Sequence, residues 1–324
     1  MTPQSHTQVA RERADIAALT AQAHADATGT HAQLAPMVWD LLRSLGAPVG
    51  GRALAFGVDP QVLLTGDPNH REPRDADGFP VHDRWQGPVP GARPDAYRDA
   101  FPVTRYPLRL AMARPFDVAV ASMPYSDIHL RGREARAMRL HSFHIQATEA
   151  LGGLAPGGHA VFLANHSVLD FPDPSRWARL AQMADFLGAV RLPSHALRTA
   201  PACDAPVDIL VLRRRETPHP APGLRFPAVQ WSPTDELHES TYFTTHPDRV
   251  LGTRDVGTDY WGMKQLAVHD PDRTWPGRLD AAFGEISRQH GSVSTTPGLA
   301  EEHGRPAPQH GASHPREEPR GLHL

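Results

Sequence analysis

FDVAVASMPYSD, residues 116–127, is the stretch on which the reading of the fold turns. Its first seven residues form a short apolar run of the kind that fills a buried strand. A small polar residue, a proline and an aromatic follow at once: Ser122, Pro124 and Tyr125. In an open α/β sheet, ligands lie outside the carboxyl ends of the strands, where these residues would stand together. An exocyclic base amine needs oxygen acceptors, and a base taken out of a duplex needs a flat ring to stack on. Ser122 Oγ, the carbonyl near Met123 and the Tyr125 ring have that chemistry. The same residues also suit a plain strand-to-loop turn, in which proline ends the ladder and tyrosine caps the core.

Outward from this stretch the chain alternates. Glu134–Leu151 carries Leu140, Phe143, Ala147 and Leu151 at helical spacing. Residues 152–158 read as a Gly/Pro turn and HAVFLANHS (159–167) as a strand. Ser175–Leu187 reads as a helix, GAVRLP (188–193) as a short strand and VDILVLRRR (207–215) as a strand with a basic end. Strand and helix in alternation predict a mainly parallel, doubly wound α/β sheet. Upstream, 34–45 is an amphipathic helix stopped by Gly46, and 8–27 is an Ala-rich helix. The expected organisation is a helical segment over 1–30, a main domain over 31–215 and a Pro-rich linker over 216–230. A small α+β appendage over 231–290 and a disordered tail over 291–324 complete it.

Composition narrows the function classes. The chain has 324 residues with 33 basic and 36 acidic side chains, a net charge of −3, which excludes a polycation. Lys264 is the only lysine, so the basic residues are otherwise arginine. Arginine gathers locally: 103–139 and 191–215 carry net charges of +4 and +3, as a phosphate-contacting face flanking the site would. An ordinary solvated face in an Arg-rich protein has the same count. Cys203 is the single cysteine, so neither a disulfide framework nor a Cys-based zinc site is available. His141, His144, His159 and His166 are scattered without a carboxylate cluster, and no metal is expected. No apolar run reaches the roughly 18 residues of a membrane span, and the first 25 residues lack a signal-peptide core. A cytoplasmic protein without membrane contact is the expectation.

The ordered series SMPY (122–125), LAPGGHAVFLANHSVLD (154–170), FLGAVRLPSHAL (186–197) and VDILVLRRRE (207–216) resembles the adenine-N6 DNA methylases of bacteria, plasmids and phages, some of them fused to helicases. STYFTTHPDRVLG (240–252) and VWDLLRSLGAPVGGRAL (38–54) extend the likeness to about two thirds of the chain. In that family an Asn-Pro-Pro-Tyr motif ends the fourth strand. The resemblance implies a sheet of the S-adenosylmethionine-dependent methyltransferase type and direct methyl transfer to a base amine, adenine N6 first. Ser122, Met123, Pro124 and Tyr125 would then be the catalytic segment. Ser122 stands where the family has Asn or Asp; related cytosine-N4 methylases have Ser there. Phe56, Gly57 and Asp67 take the cofactor positions, with S-adenosylmethionine as cofactor. The corresponding stretch, GRALAFGVDPQVLLTGDPNH (51–70), has no intact Gly-rich loop. With RALAF and QVLLTG both as strands, too few residues separate them for a parallel crossover. DNA is the implied partner, with a helicase or a restriction or antirestriction subunit beside it. Two alternatives stay open: a methylase-like module that binds DNA or a partner without catalysis, and a methyltransferase for a protein Gln side chain.

Overall fold

The computed structural model describes residues 29–48, 52–57, 60–66, 115–123, 133–173, 175–197, 205–216, 225–258 and 262–291. Helix α1 covers 29–44 and is followed by β1, Ala53–Gly57, and a short helix α2, Pro60–Thr65. After the undescribed stretch come β2, Phe116–Ser122, α3, Arg133–Gly153, and β3, Leu154–Asn165. Then follow α4, Ser175–Met183, β4, Ala184–Arg191, and β5, Val207–Arg214. The C-terminal part has two ribbons. The first pairs β6, Val229–Ser232, with β7, Leu237–Ser240, and the second pairs β8, Thr253–Thr258, with β9, Lys264–His269. Helix α5, Thr241–Thr245, lies between the ribbons, and α6, Trp275–His290, closes the described chain.

Strands β1 to β5 form one sheet in the order β1-β2-β3-β5-β4. β1, β2 and β3 are parallel, β5 runs against both β3 and β4, and β4 therefore points with the first three. The expected α/β class is what forms: a mainly parallel sheet with helices on both faces and a smaller α+β part after it.

Side-chain alternation explains the layers. Ala53, Ala55, Val118, Val120, Val161, Leu163, Ile209 and Val211 pack on one face against α1 and α6, through Leu34, Val38, Leu42, Leu279, Phe283 and Ile286. Leu54, Phe56, Ala119, Ala121, Phe162 and Leu210 pack on the other against α3 and α4, through Phe143, Ala147, Leu151, Trp177 and Leu180. Strands buried on both faces must be apolar throughout, which is why their sequences do not alternate. The C-terminal helix α6 thus lies on the main sheet. Helix α1 ends in a glycine cap: Gly46 has φ +100°, its amide donates to the Arg43 carbonyl at 2.9 Å, and the Ala47 amide donates to the Leu42 carbonyl at 2.9 Å.

Several boundaries differ from the sequence reading. QVLLTG, for which a second strand left too short a crossover, is helical: Pro60 starts helix α2 after β1, and Leu63 and Leu64 face the core. Proline suits a first helical position, where no amide partner is lost. Residues 152–158 are not a turn. Helix α3 runs to Gly153, β3 starts at Leu154, and a bulge through Gly157 at φ +80° absorbs the register shift against β2. Phe186 and Leu187 belong to β4, not to the preceding helix, which stops at Met183. Pairing with β5 takes these residues because Phe186 faces Leu212 across the ladder. The expected helix 8–27, all of residues 67–114 and the tail from 292 lie outside the described residues. No helix among the described residues is long and apolar enough to cross a membrane.

His159 on β3 is 6% exposed, and its Nε2 has no hydrogen-bond partner. Burial, with Arg213 adding repulsion, pushes its pKa down from 6.5 to about 4. The folded chain therefore binds fewer protons than the unfolded chain between those values, and stability falls as pH falls through that window. In denaturant titrations His159→Leu removes up to about 3 kcal/mol of this acid-dependent loss. An identical pH dependence in variant and wild type would contradict the burial argument.

Candidate functional site

The carboxyl edge of the parallel strands gathers the polar groups. Gly57 ends β1 and pairs with Ser122, which ends β2, and Ser122 pairs in turn with Leu163 of β3. Gly57 has φ +91°, and a Cβ there would run into the Ser122 carbonyl oxygen. Only glycine lets the two strands finish in backbone contact. The Ser122 side chain is fully buried, and its Oγ shares a 3.0 Å hydrogen bond with His31 Nε2. The first turns of α1 therefore sit over the ends of β1 and β2. Met123 follows with 2% exposure among apolar neighbours, and its amide donates to the Leu163 carbonyl at 2.8 Å.

The sequence-derived site residues separate accordingly. Gly57, Ser122 and Met123 meet at one edge. Phe56 is wholly buried, its ring 5.9 Å from that of Phe162, so its side chain belongs to the core. Pro124, Tyr125 and Asp67 lie outside the described residues.

Beside this edge lies a charged cluster that the sequence reading missed. Arg191, the last residue of β4, is fully buried. Its Nε and Nη2 donate to both oxygens of Asp208 on β5, at 2.7 and 2.8 Å. Nη2 also donates to Asp170 Oδ1 at 3.0 Å, in the loop after β3. Asp170 accepts from the Ser240 amide at 2.9 Å and shares a 2.8 Å hydrogen bond with His166 Nδ1. The guanidinium lies 4.0 Å from the centre of the Phe243 ring. Burial pushes the Asp170 carboxyl up. Arg191, His166 and the Ser240 amide outweigh it and hold the group below the ordinary carboxylate range. Asp208, desolvated by burial and beside Asp170, is pushed up despite the fork of Arg191. Arg191, between two carboxylates, is held more firmly protonated than a free arginine. The sequence signal was a single charge inside each of two apolar runs, GAVRLP and VDILVL, which the antiparallel register places opposite one another.

The basic end of β5 is not part of this site. β5 is reversed, so Arg213 and Arg214 stand opposite His159 and Ala184, at the amino edge. There Arg215 and Arg213 bind Asp185 at 2.8 and 3.3 Å, and Arg214 donates to the Leu151 and Gly152 carbonyls at the end of α3. The expected basic face over 191–215 is thus, in its described arginines, a set of internal pairs and helix caps. The arginines of 105–114 and residue 131 lie outside the described residues.

No family model matches the chain, and no curated protein matches it. Among solved structures it is similar to the modification subunit of a putative type I restriction enzyme from Vibrio vulnificus YJ016, at 16% identity and TM-score 0.35, over 78% of this chain and 60% of that one. It is similar to the M protein of the type I restriction enzyme EcoKI, at 11% identity and TM-score 0.32, over 79% of this chain and 70% of that one. A putative class I S-adenosylmethionine-dependent methyltransferase from Listeria monocytogenes is similar at 15% identity and TM-score 0.30, over 60% of this chain and 64% of that one. In a further type I restriction-modification structure the chain spans 41% of the matched chain's length. Likenesses at these scores carry no activity across to this chain.

Removing one member of a buried ion cluster leaves the others uncompensated. Arg191→Met lowers the unfolding free energy by about 3–5 kcal/mol in urea titrations. A loss below about 1 kcal/mol, the value of a surface pair, would contradict the geometry.

Proposed function

We propose that this chain is a methyltransferase domain that uses S-adenosylmethionine and modifies an exocyclic base amine of DNA, adenine N6 first. The observation that carries the reading is positional. Ser122, which opens SMPY, is the last residue of β2 and lies beside the closing glycine of β1, in a sheet whose parallel strands present their carboxyl ends together. The chain order of the other resembling segments follows the strands: LAPGG enters β3, FLGAVR fills β4 and VDILVL fills β5.

At Gly57 a side chain would collide with the Ser122 main chain, and the strands close only because none is present. Gly57 through its main chain and Asp67 through its carboxylate would hold S-adenosylmethionine, which supplies an activated methyl group when bound. Ser122 Oγ and the main-chain carbonyl next to it would accept from the base amine, and Tyr125 would stack on the base. These contacts act by position and electrostatics, with no covalent step on the protein. DNA and the subunits of a restriction-modification assembly are the proposed partners.

One observation favours a second reading. Ser122 has no exposed surface, and its hydroxyl is engaged by His31. A chain that keeps this edge closed would contact DNA or a partner without transferring a methyl group.

Calorimetry with S-adenosylmethionine and transfer of labelled methyl groups to plasmid DNA separate the two. The first reading predicts micromolar cofactor binding and label in DNA that falls about fivefold to a hundredfold in Tyr125→Ala, the range for one lost stacking contact. Folded protein without binding at millimolar cofactor would overturn it and leave the second.

A further inference from the structure

A cavity of about 600 Å³ opens where the end of β3 meets the two ribbons. His166 and Asp170 line one side, and Trp231, His238, Met263 and Lys264 line the ribbon side. We propose that it is a binding site for a planar, N–H-bearing nucleobase. Its lining contains neither Ser122 nor Met123, and it does not require methyl transfer.

Three independent observations converge. The first is exposure. Among the described residues three large hydrophobic side chains are exposed, and two of them line this cavity: Trp231 at 50% and Met263 at 60%. An indole left half open to water at a cavity wall is a stacking surface for a flat ring. The second is orientation. His166 Nδ1 is held by Asp170 Oδ2 at 2.8 Å, and Asp170 is itself fixed by Arg191 and the Ser240 amide. The imidazole is thereby aimed, and Nε2 is the ring nitrogen left to meet a ligand. Among the described residues no hydrogen bond engages it. The third is charge. Lys264, the cavity's lysine, is paired with Glu236 at 2.9 Å, so the lining supplies no excess of cations for a phosphate group. The chemistry matches the neutral ring of a nucleotide, not its phosphates. The volume suits a nucleoside-sized ligand.

The place in the fold agrees. Leu163 pairs with Ser122, and His166 follows it three residues on, so the cavity shares the carboxyl edge with the end of β2. A base unstacked from a strand and a free nucleoside carry the same ring, and the test separates these sources.

The full chain is titrated with labelled single-stranded oligonucleotides, read by fluorescence anisotropy, and with the four free nucleosides, read by calorimetry. Trp231→Ala weakens binding about fivefold to a hundredfold, Trp231→Phe keeps most of it, and His166→Gln weakens it about tenfold. Ile145→Ala, which removes the third exposed hydrophobic side chain, changes nothing. Circular dichroism confirms that each variant is folded. Oligonucleotide binding with this variant pattern and no nucleoside binding means that the base arrives in a strand. Nucleoside binding with the same pattern means a free ligand. Absence of both, or wild-type affinity in both Trp231→Ala and His166→Gln, overturns the proposal. If the variants behave as stated while no methyl transfer is detected, the site stands and the transferase reading falls.

Discussion

Arg191 places a guanidinium where no solvent reaches it, and the carboxyl edge of the sheet is arranged around that charge. A lone buried cation costs several kcal/mol in effective desolvation. Here it is offset by a bidentate fork on Asp208, a third hydrogen bond to Asp170 and the face of Phe243. Those partners come from different parts of the chain: β5, the loop after β3, and the helix after β7. One charge thus ties the antiparallel edge of the sheet to the first ribbon. The main chain adds a second tie, to the segment that leads into the second ribbon, since the Leu251 amide donates to the Arg191 carbonyl at 2.9 Å.

The two halves of the edge are built differently. At β1 and β2 it is closed by backbone contact at Gly57 and by the Ser122–His31 hydrogen bond, with α1 lying over both strands. At β3 it opens into the cavity, whose wall His166 is aimed through Asp170 by the same Arg191 network. A segment that resembles a catalytic motif is therefore buried at its first two residues, while the accessible polar chemistry lies one strand further along. Movement of α1 off Ser122 would be needed before that hydroxyl could meet a substrate.

Much of the sheet was legible because strands buried on both faces announce themselves. FDVAVAS matched its strand residue for residue; the helix expected over 34–45 forms over 29–44, its start missed and its Gly46 stop legible from the cap. Other boundaries were not legible. QVLLTG is as apolar as a strand, and only Pro60 ahead of it argued for a helix. Phe186 and Leu187 continue the helical spacing of 175–183, and the ladder with β5 claims them. The reversal of β5 left no mark in its own residues, and with it went the position of Arg213–Arg215. Arg191 and Asp208 looked like surface charges because the sequence does not state which strands are neighbours. The half-exposed Trp231 was not legible either, because the cavity beside it is made by elements far apart in the chain.

The Arg191–Asp170 network holds the first ribbon onto the sheet edge. Native-state hydrogen exchange in Asp170→Asn tests it most directly, because the Ser240 amide donates to Asp170. The network predicts faster exchange at Ser240 and along 229–240, with β1, β2 and β3 protected as in the wild type. Unchanged protection across 229–240 in a folded Asp170→Asn protein would contradict it.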